Sequence, residues 1–310
     1  MSPHLRRPAS YAASMSEAKP RRARKAVIPA AGDATRFLPA TKAVPKELLP
    51  VVDKPVLQFI VAEAAGAGLD SLLVTARGKE AMENHFDARF DLEDKLIKKG
   101  DKARLEAIRE PERLANVYAI RQGGALGLGH AVGRAASYVG EEPFAVLLAD
   151  EFYRDGDPLL NRMVDVQAEK GGIVLALLEV EPEQVVRYGV AAIETLPDSD
   201  DVVRVTGMVE KPAIADAPSN YILVGRYVLP SEIFPVLDNT GPGAGGEIQL
   251  TDAMETMRAQ GTSVHAVIVS SDRFDTGEPL GYLQTVVELA SERDDLPEFR
   301  TWLREFAAKL

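Results

Sequence analysis

The stretch Val27-Ile-Pro-Ala-Ala-Gly-Asp-Ala-Thr-Arg-Phe-Leu-Pro-Ala-Thr-Lys-Ala-Val-Pro-Lys-Glu-Leu-Leu-Pro-Val-Val-Asp53 decides how the chain is read. Lys25–Ile28 is a short apolar run that breaks into small residues at Ala30-Ala31-Gly32. This pattern predicts a buried strand feeding a tight glycine turn. Small residues let main-chain N–H groups approach a ligand, and successive amides in such a turn form an anion nest. Arg36, Lys42 and Lys46 follow closely. One arginine and two lysines beside a row of amides fit a polyphosphate. Prolines at 29, 39, 45 and 50 stiffen a loop that a plain connection would not need.

Downstream, apolar runs and helical patterns alternate every 20–30 residues as far as about residue 180. A helix is expected from Asp53, with Asp53 as its cap and Pro55 in its first turn. Strands are expected at 71–75, 116–120, 144–149 and 173–180, and helices at 92–108, 130–138 and 163–169. This alternation is the mark of a parallel α/β sheet covered on both faces. Strands buried on both faces read as unbroken apolar runs, as Phe144–Ala149 and Ile173–Val180 do. After Gly189 the pattern changes. Strands are expected at 190–194, 202–210 and 221–228, then helices at 247–260 and about 280–306. The whole predicts one α/β domain over 25–310 with a mixed, mainly parallel central sheet flanked by helices.

Residues 1–24 carry Arg6, Arg7, Lys19, Arg21, Arg22 and Arg24 against Glu17 alone. The stretch has no helical or strand period and reads as a disordered basic tail. Met15 is a plausible true start. The whole chain of 310 residues has 36 basic and 47 acidic side chains, a net charge of −11. Nucleic acid is a poor partner for such a chain. There is no apolar run long enough for a membrane span. With no cysteine, thiolate metal sites and cysteine nucleophiles are excluded. The four histidines at 4, 85, 130 and 265 form no paired-ligand spacing.

Two further segments bear on chemistry. The strand at 144–149 ends in Asp150, and ligands of open α/β sheets lie outside the carboxyl ends of strands. A carboxylate there suits Mg²⁺, which keeps waters and takes one or two acids plus substrate phosphates. Glu151 and Asp155 compete for that role. Gly241-Pro-Gly-Ala-Gly-Gly246 matches GxGxxG literally. The polar Asp238-Asn-Thr240 before it is no strand, so it is not a dinucleotide fingerprint.

Taken together, these residues resemble the bacterial UDP-glucose pyrophosphorylases of the sugar-nucleotidyltransferase family. The matching segments run from Thr35–Pro55 through 83–87, 121–123, 127–132, 188–190, 209–212, 217–220 and 224–229 to 246–253. The resemblance implies a Rossmann-like nucleotidyltransferase fold. It also implies Mg²⁺-dependent transfer of a uridylyl group from UTP to glucose 1-phosphate, giving UDP-glucose and pyrophosphate. Residue by residue, Ala31 and Gly32 would hold the nucleotide through main-chain contacts. Arg36 and Lys46 would clamp the triphosphate, with Glu47 beside them in the same motif. Gln122 and Gly127 would read the uracil. Asp150 would ligate Mg²⁺, supported by Asp275. Gly189, Glu210 and Val224 would contact glucose, and Lys211 its phosphate. A cytoplasmic homo-oligomer, dimer or tetramer, acting without nucleic acid or membrane, is the expected setting.

The sequence departs from the family pattern at the first loop, where Gly-x-Gly-Thr-Arg is replaced by Gly32-Asp-Ala-Thr-Arg36. Ala34 stands where glycine supplies positive φ or close approach. The favoured reading is a strained turn, with Asp33 adding a negative charge next to the phosphate site. A regulatory relative that binds sugar nucleotides without turnover, or the same reaction on another nucleotide or sugar, are the alternatives.

Overall fold

The computed structural model describes residues 21–310. The strands of its main sheet are, in chain order, β1 (Lys25–Pro29), β2 (Asp70–Thr75), β3 (Val117–Arg121), β4 (Phe144–Leu147), β5 (Ile173–Glu179), β6 (Gly189–Leu196), β7 (Ser199–Glu210), β8 (Tyr221–Leu229) and β9 (Val264–Ile268). They lie side by side in the order β3-β2-β1-β4-β8-β5-β9-β7-β6. Pairing is parallel across β3-β2-β1-β4 and between β5 and β9. It is antiparallel where β8 meets β4, β5 and β6, and where β7 meets β9 and β6. The sheet is therefore mixed. The expected parallel predominance holds for the amino-terminal part only, because β8 inserts antiparallel between β4 and β5.

Alternation along the strands explains the apolar runs. Ala26, Ile28, Ala145, Leu147, Val174 and Ala176 face one core, beneath the helices Val56–Gly66 and Leu159–Lys170. Val27, Phe144, Val146, Ile173, Leu175 and Leu177 face the other, under Leu128–Gly133, Ile233–Asp238 and Leu250–Ala259. Both faces are covered, so neither set of alternate positions can be polar.

Several local expectations shift. The helix 56–66 is capped by Pro55. Asp53 instead pairs with Arg293 at 2.7 and 2.9 Å, fastening the carboxy-terminal helices to this end of the molecule. The expected helix 92–108 is two, Phe90–Lys99 and Lys102–Leu114, divided at Gly100 with φ 67°. The last segment is likewise two helices, Pro279–Glu292 and Pro297–Ala307. Most of the basic tail, residues 1–20, lies outside the described residues. Residues 22–24, expected to belong to it, are packed. Ala23 is buried, Arg22 bonds Asp165, Asn161 and the Ala67 carbonyl, and the Arg24 carbonyl accepts from Asp70 N.

At the carboxyl ends of β1 and β4 the chain leaves in opposite senses along the sheet. β1 continues toward β2 on one side, and β4 lies on the other. This is the topological switch point at which open α/β sheets hold ligands. The loop 30–49 and Asp150 both emerge there.

Candidate active site

The loop after β1 is held at both ends. Ala30 N donates to the Val74 carbonyl at 2.9 Å, extending the strand pairing. Lys79 then ties the far end back, donating to the Ala30 carbonyl at 2.6 Å and to both oxygens of Glu47 at 2.9 and 3.0 Å. Glu47 is only 1 % exposed. Burial pushes its carboxyl up, although Lys79 draws it back down. Expected to sit at the nucleotide, Glu47 thus has its carboxylate committed to Lys79, where it braces the loop. Nothing in the sequence around Lys79 marks this role.

Between these anchors Ala34 adopts φ 52°, ψ 40°, the left-handed region. Its carbonyl accepts from Phe37 N at 3.1 Å and Thr41 Oγ1 at 2.8 Å. The turn that presents Arg36 therefore uses the conformation for which glycine is suited, and alanine occupies it at a cost of about 1–2 kcal/mol. Ala31 is buried, whereas Gly32 and Asp33 are exposed. Arg36 is exposed and reaches over to the Gly277 carbonyl at 3.4 Å. A Cβ at Gly32 would meet nothing within 4 Å, leaving room above the turn.

Asp150 emerges from β4 opposite this loop. Lys46 Nζ lies 2.6 Å from its Oδ2. Burial raises the Asp150 carboxyl, but Lys46, helped by Arg36, outweighs it and holds the group below the ordinary carboxylate range. Thr276 donates twice to the Asp150 carbonyl, from N at 2.7 Å and Oγ1 at 2.8 Å. This clasp continues as a two-stranded ribbon in which Asp275 faces Glu151 and Phe274 faces Phe152. A Cβ on Gly277 would lie 3.1 Å from Asp275 Oδ1 and 3.2 Å from Asp150 Oδ2. Both carboxylates therefore converge on one glycine. Of the rival acids, Glu151 turns into the interior, where Arg273 and the Gly225 amide engage it. Asp155 borders a separate hollow beside Lys54 and Glu110.

The remaining expected residues fall into two groups. Gln122 is buried, its amide nitrogen 3.2 Å from the Gly127 carbonyl and 3.1 Å from His130 Nδ1. Gly127 has φ 105°, and a Cβ there would lie 2.7 Å from both Glu247 Cβ and the Ile248 carbonyl oxygen. The segment 247–248 thus packs directly on this loop, and Gly129 N donates to the Ile248 carbonyl at 2.8 Å. On the other side, Gly189 and Glu210 face each other across the β6–β7 pairing. Glu210 accepts from Thr251 Oγ1 at 2.8 Å and lies 3.5 Å from Lys211 Nζ. Lys211 takes φ 46°, and its amide donates to the Tyr188 carbonyl at 3.0 Å. Val224 is buried in the core, so its side chain is not available to a ligand. The β8–β5 pairing breaks its register just after it, between Val224 and Tyr227.

A cleft of about 770 Å³ brings Arg36, Asp150, Lys211, Asp275 and Gly277 to one place. Gln122 and Gly127 stand outside its lining, near the end of β3. Cations from two loops face converging acids across an open groove, and no cysteine or histidine pair is at hand. Such a site handles phosphates by position and charge, as enzymes that move nucleotidyl groups do.

Comparison with known proteins agrees. The nucleotidyl transferase family model matches residues 25–292, and the chain belongs to that family. It is 45 % identical over 284 residues to UTP–glucose-1-phosphate uridylyltransferase 2 of Staphylococcus saprophyticus, covering 90 % of this chain and 97 % of that protein. It is 46 % identical over 285 residues to the UTP–glucose-1-phosphate uridylyltransferase YngB of Bacillus subtilis, covering 91 % and 94 %. Among solved structures it is similar to UTP-bound UGPase from Acinetobacter baumannii, with TM-score 0.84 and 39 % identity over 91 % of this chain and 99 % of that one. A UDP-glucose pyrophosphorylase complexed with UDP-glucose gives TM-score 0.79 and 37 % identity, covering 87 % of this chain and 100 % of that one.

Proposed function

We propose that the chain transfers the uridylyl group of UTP to glucose 1-phosphate, releasing pyrophosphate and giving UDP-glucose. The observation that carries this reading is the convergence of Arg36, Asp150, Lys211 and Asp275 on one cleft, in a chain 45 % identical to a UTP–glucose-1-phosphate uridylyltransferase. The sugar phosphate is an anion near neutral pH and needs no protein base. One of its phosphate oxygens attacks the α-phosphorus of UTP in line. The bond from that phosphorus to the bridging oxygen breaks, and pyrophosphate leaves with the electron pair. The protein's task is to hold two polyanions together, neutralise them and exclude misaligned water.

Ala31 and Gly32 present main-chain amides to the nucleotide, while Arg36 and Lys46 take the triphosphate. Gln122, fixed by Gly127 and His130, reads the uracil edge. Gly189, Glu210 and the Val224 main chain receive glucose, and Lys211 meets its phosphate. Glu47 acts through Lys79 on the loop. Asp150 and Asp275 fit a hard divalent cation: their oxygens converge at Gly277, and two carboxylates plus substrate phosphates are how Mg²⁺ is usually held. Bound there, Mg²⁺ would supply charge neutralisation on the phosphates. No helix among the described residues is long and apolar enough to cross a membrane. A cytoplasmic homo-oligomer completes the reading, and exposed Leu283, Trp302 and Phe306 on the last two helices support self-association.

The test is pyrophosphate release by the purified chain with Mg²⁺ over a panel of nucleotides and sugar phosphates. UTP with glucose 1-phosphate is expected to give the highest kcat/KM. Equal or faster turnover with dTTP, or with another sugar phosphate, would overturn the reading.

A further inference from the structure

Arg273 occupies the joint between the converging acids and the strand that carries Gly189. One guanidinium nitrogen pairs with Glu151 Oε2 and the other donates to Asp275 Oδ2 at 3.0 Å. The side chain is 12 % exposed. Its guanidinium lies 5.8 Å from the centre of the Tyr188 ring. Beneath it, Glu151 accepts the Gly225 amide. Arg226, 0 % exposed, donates to the Glu151 carbonyl at 2.9 Å and to both oxygens of Glu63 at 2.8 and 2.7 Å. Charges thus alternate from the helix 56–66 up to the cleft: Glu63, Arg226, Glu151, Arg273, Asp275.

The orientation of Asp275 depends on this series. Its Oδ1 accepts from Gly277 N at 2.9 Å, and its Oδ2 has Arg273. Two bonds, one to each oxygen, fix the carboxylate about its χ2 axis. Without Arg273 one bond remains and the carboxylate can swing. A lysine would carry the same charge but lacks the planar fork that reaches two acids at once.

We propose that Arg273 is a positioning residue: it locks Asp275 opposite Asp150 and so sets the spacing of the two acids that would hold a divalent cation. The inference rests on the reading of Asp150 and Asp275 as the cation's holders. Groups that orient metal-ligating carboxylates typically change affinity or activity by about 10–100-fold when removed.

The experiment measures Mn²⁺ binding by electron paramagnetic resonance, in the presence of UTP, for wild type, Arg273→Lys, Asp275→Asn and the double variant. Calorimetry of UTP binding in EDTA and thermal melting accompany it. Arg273→Lys is expected to weaken Mn²⁺ by about tenfold or more. UTP binding in EDTA should stay within about twofold, since Arg36 and Lys46 are untouched. The double variant should lose little beyond Asp275→Asn alone, because both changes act through one carboxylate. Unchanged Mn²⁺ affinity in Arg273→Lys, even with a lowered Tm, would reduce Arg273 to a structural ion pair and overturn the proposal. So would additive losses in the double variant; where Arg273→Lys is poorly folded, unchanged Mn²⁺ affinity in Asp275→Asn overturns the proposal by itself, since the positioning acts through that carboxylate. A wild type that binds Mn²⁺ with UTP yet makes no UDP-glucose would sink the uridylyl-transfer reading and leave this one standing.

Discussion

Lys46 Nζ stands 2.6 Å from Asp150 Oδ2, so the cation assigned to phosphate and the acid assigned to metal neutralise each other across the cleft. On the proposed reading, a metal ion would take Asp150 and a phosphate would take Lys46. Asp150→Ala should therefore lower kcat by at least about a hundredfold, since charge stabilisation in the transition state is what it removes. UTP should still bind, because Lys46 is freed rather than lost. Steady-state kinetics with calorimetry on the variant check this. An unchanged kcat would take Asp150 out of the site.

Lys79→Met tests the brace beneath the loop. It leaves Glu47 buried without its ion-pair partner, only the more distant Lys46 remaining, and breaking such a pair costs about 3–5 kcal/mol. Burial already raises the Glu47 carboxyl, and losing Lys79 raises it further. A folded-state value above the unfolded one favours the protonated form, so the deficit is full near pH 7 and shrinks as the pH falls toward 5. Urea unfolding of wild type and variant at both pH values measures the gap. A gap equal or wider at pH 5 would contradict the assignment.

Ala34→Gly addresses the left-handed turn. Alanine there carries about 1–2 kcal/mol of strain, partly offset in the variant by about 0.5–1 kcal/mol of extra chain entropy from glycine. The turn is anchored at both ends by the fold, through Lys79 and the Ala30–Val74 bond, so its strain is carried by the folded chain and its relief belongs to folding. A small rise in the urea midpoint is expected, with KM for UTP changed by less than about twofold. A large fall in KM would show instead that the loop opens between turnovers.

Asp33 is exposed beside the same turn. Asp33→Asn should lower KM for UTP a few-fold at low ionic strength by removing repulsion from a tetra-anion. The gain should fade toward about 0.5 M salt as screening tightens. Salt-independent kinetics would place Asp33 too far from the phosphates to matter.

How much of this was legible in the residues alone differs from part to part. The loop 30–49 and Asp150 stood out because each is local, a glycine turn and a strand end; Gly189 and Glu210 came only through the family resemblance, and their facing each other is a matter of strand pairing. The strained Ala34 was also readable, from the residue type at a turn that wants positive φ. Arg273, Glu151, Arg226 and Lys79 were not assigned their parts. Apart from Asp275, two positions from Arg273, their ion-pair partners lie 32 to 163 positions away, and a buried ion pair leaves no periodic trace in either of its segments. The insertion of β8 antiparallel between two strands of the opposite sense was hidden for the same reason. A strand buried on both faces reads as the same apolar run whichever way it points.

The ribbon joining 151–152 to 274–275 has a consequence for how the protein comes into being. Its bonds span up to 126 positions. During synthesis the parallel strands β3-β2-β1-β4 can assemble early from near neighbours, whereas the acid pair must wait for distant chain, the slow kind of contact. A nascent or prematurely terminated chain that stops before Asp275 therefore has the phosphate loop but no second carboxylate and no clasp on Asp150. If the acid pair has the proposed role, turnover begins only when nearly the whole domain has been made and closed, which makes activity a faithful reporter of complete folding.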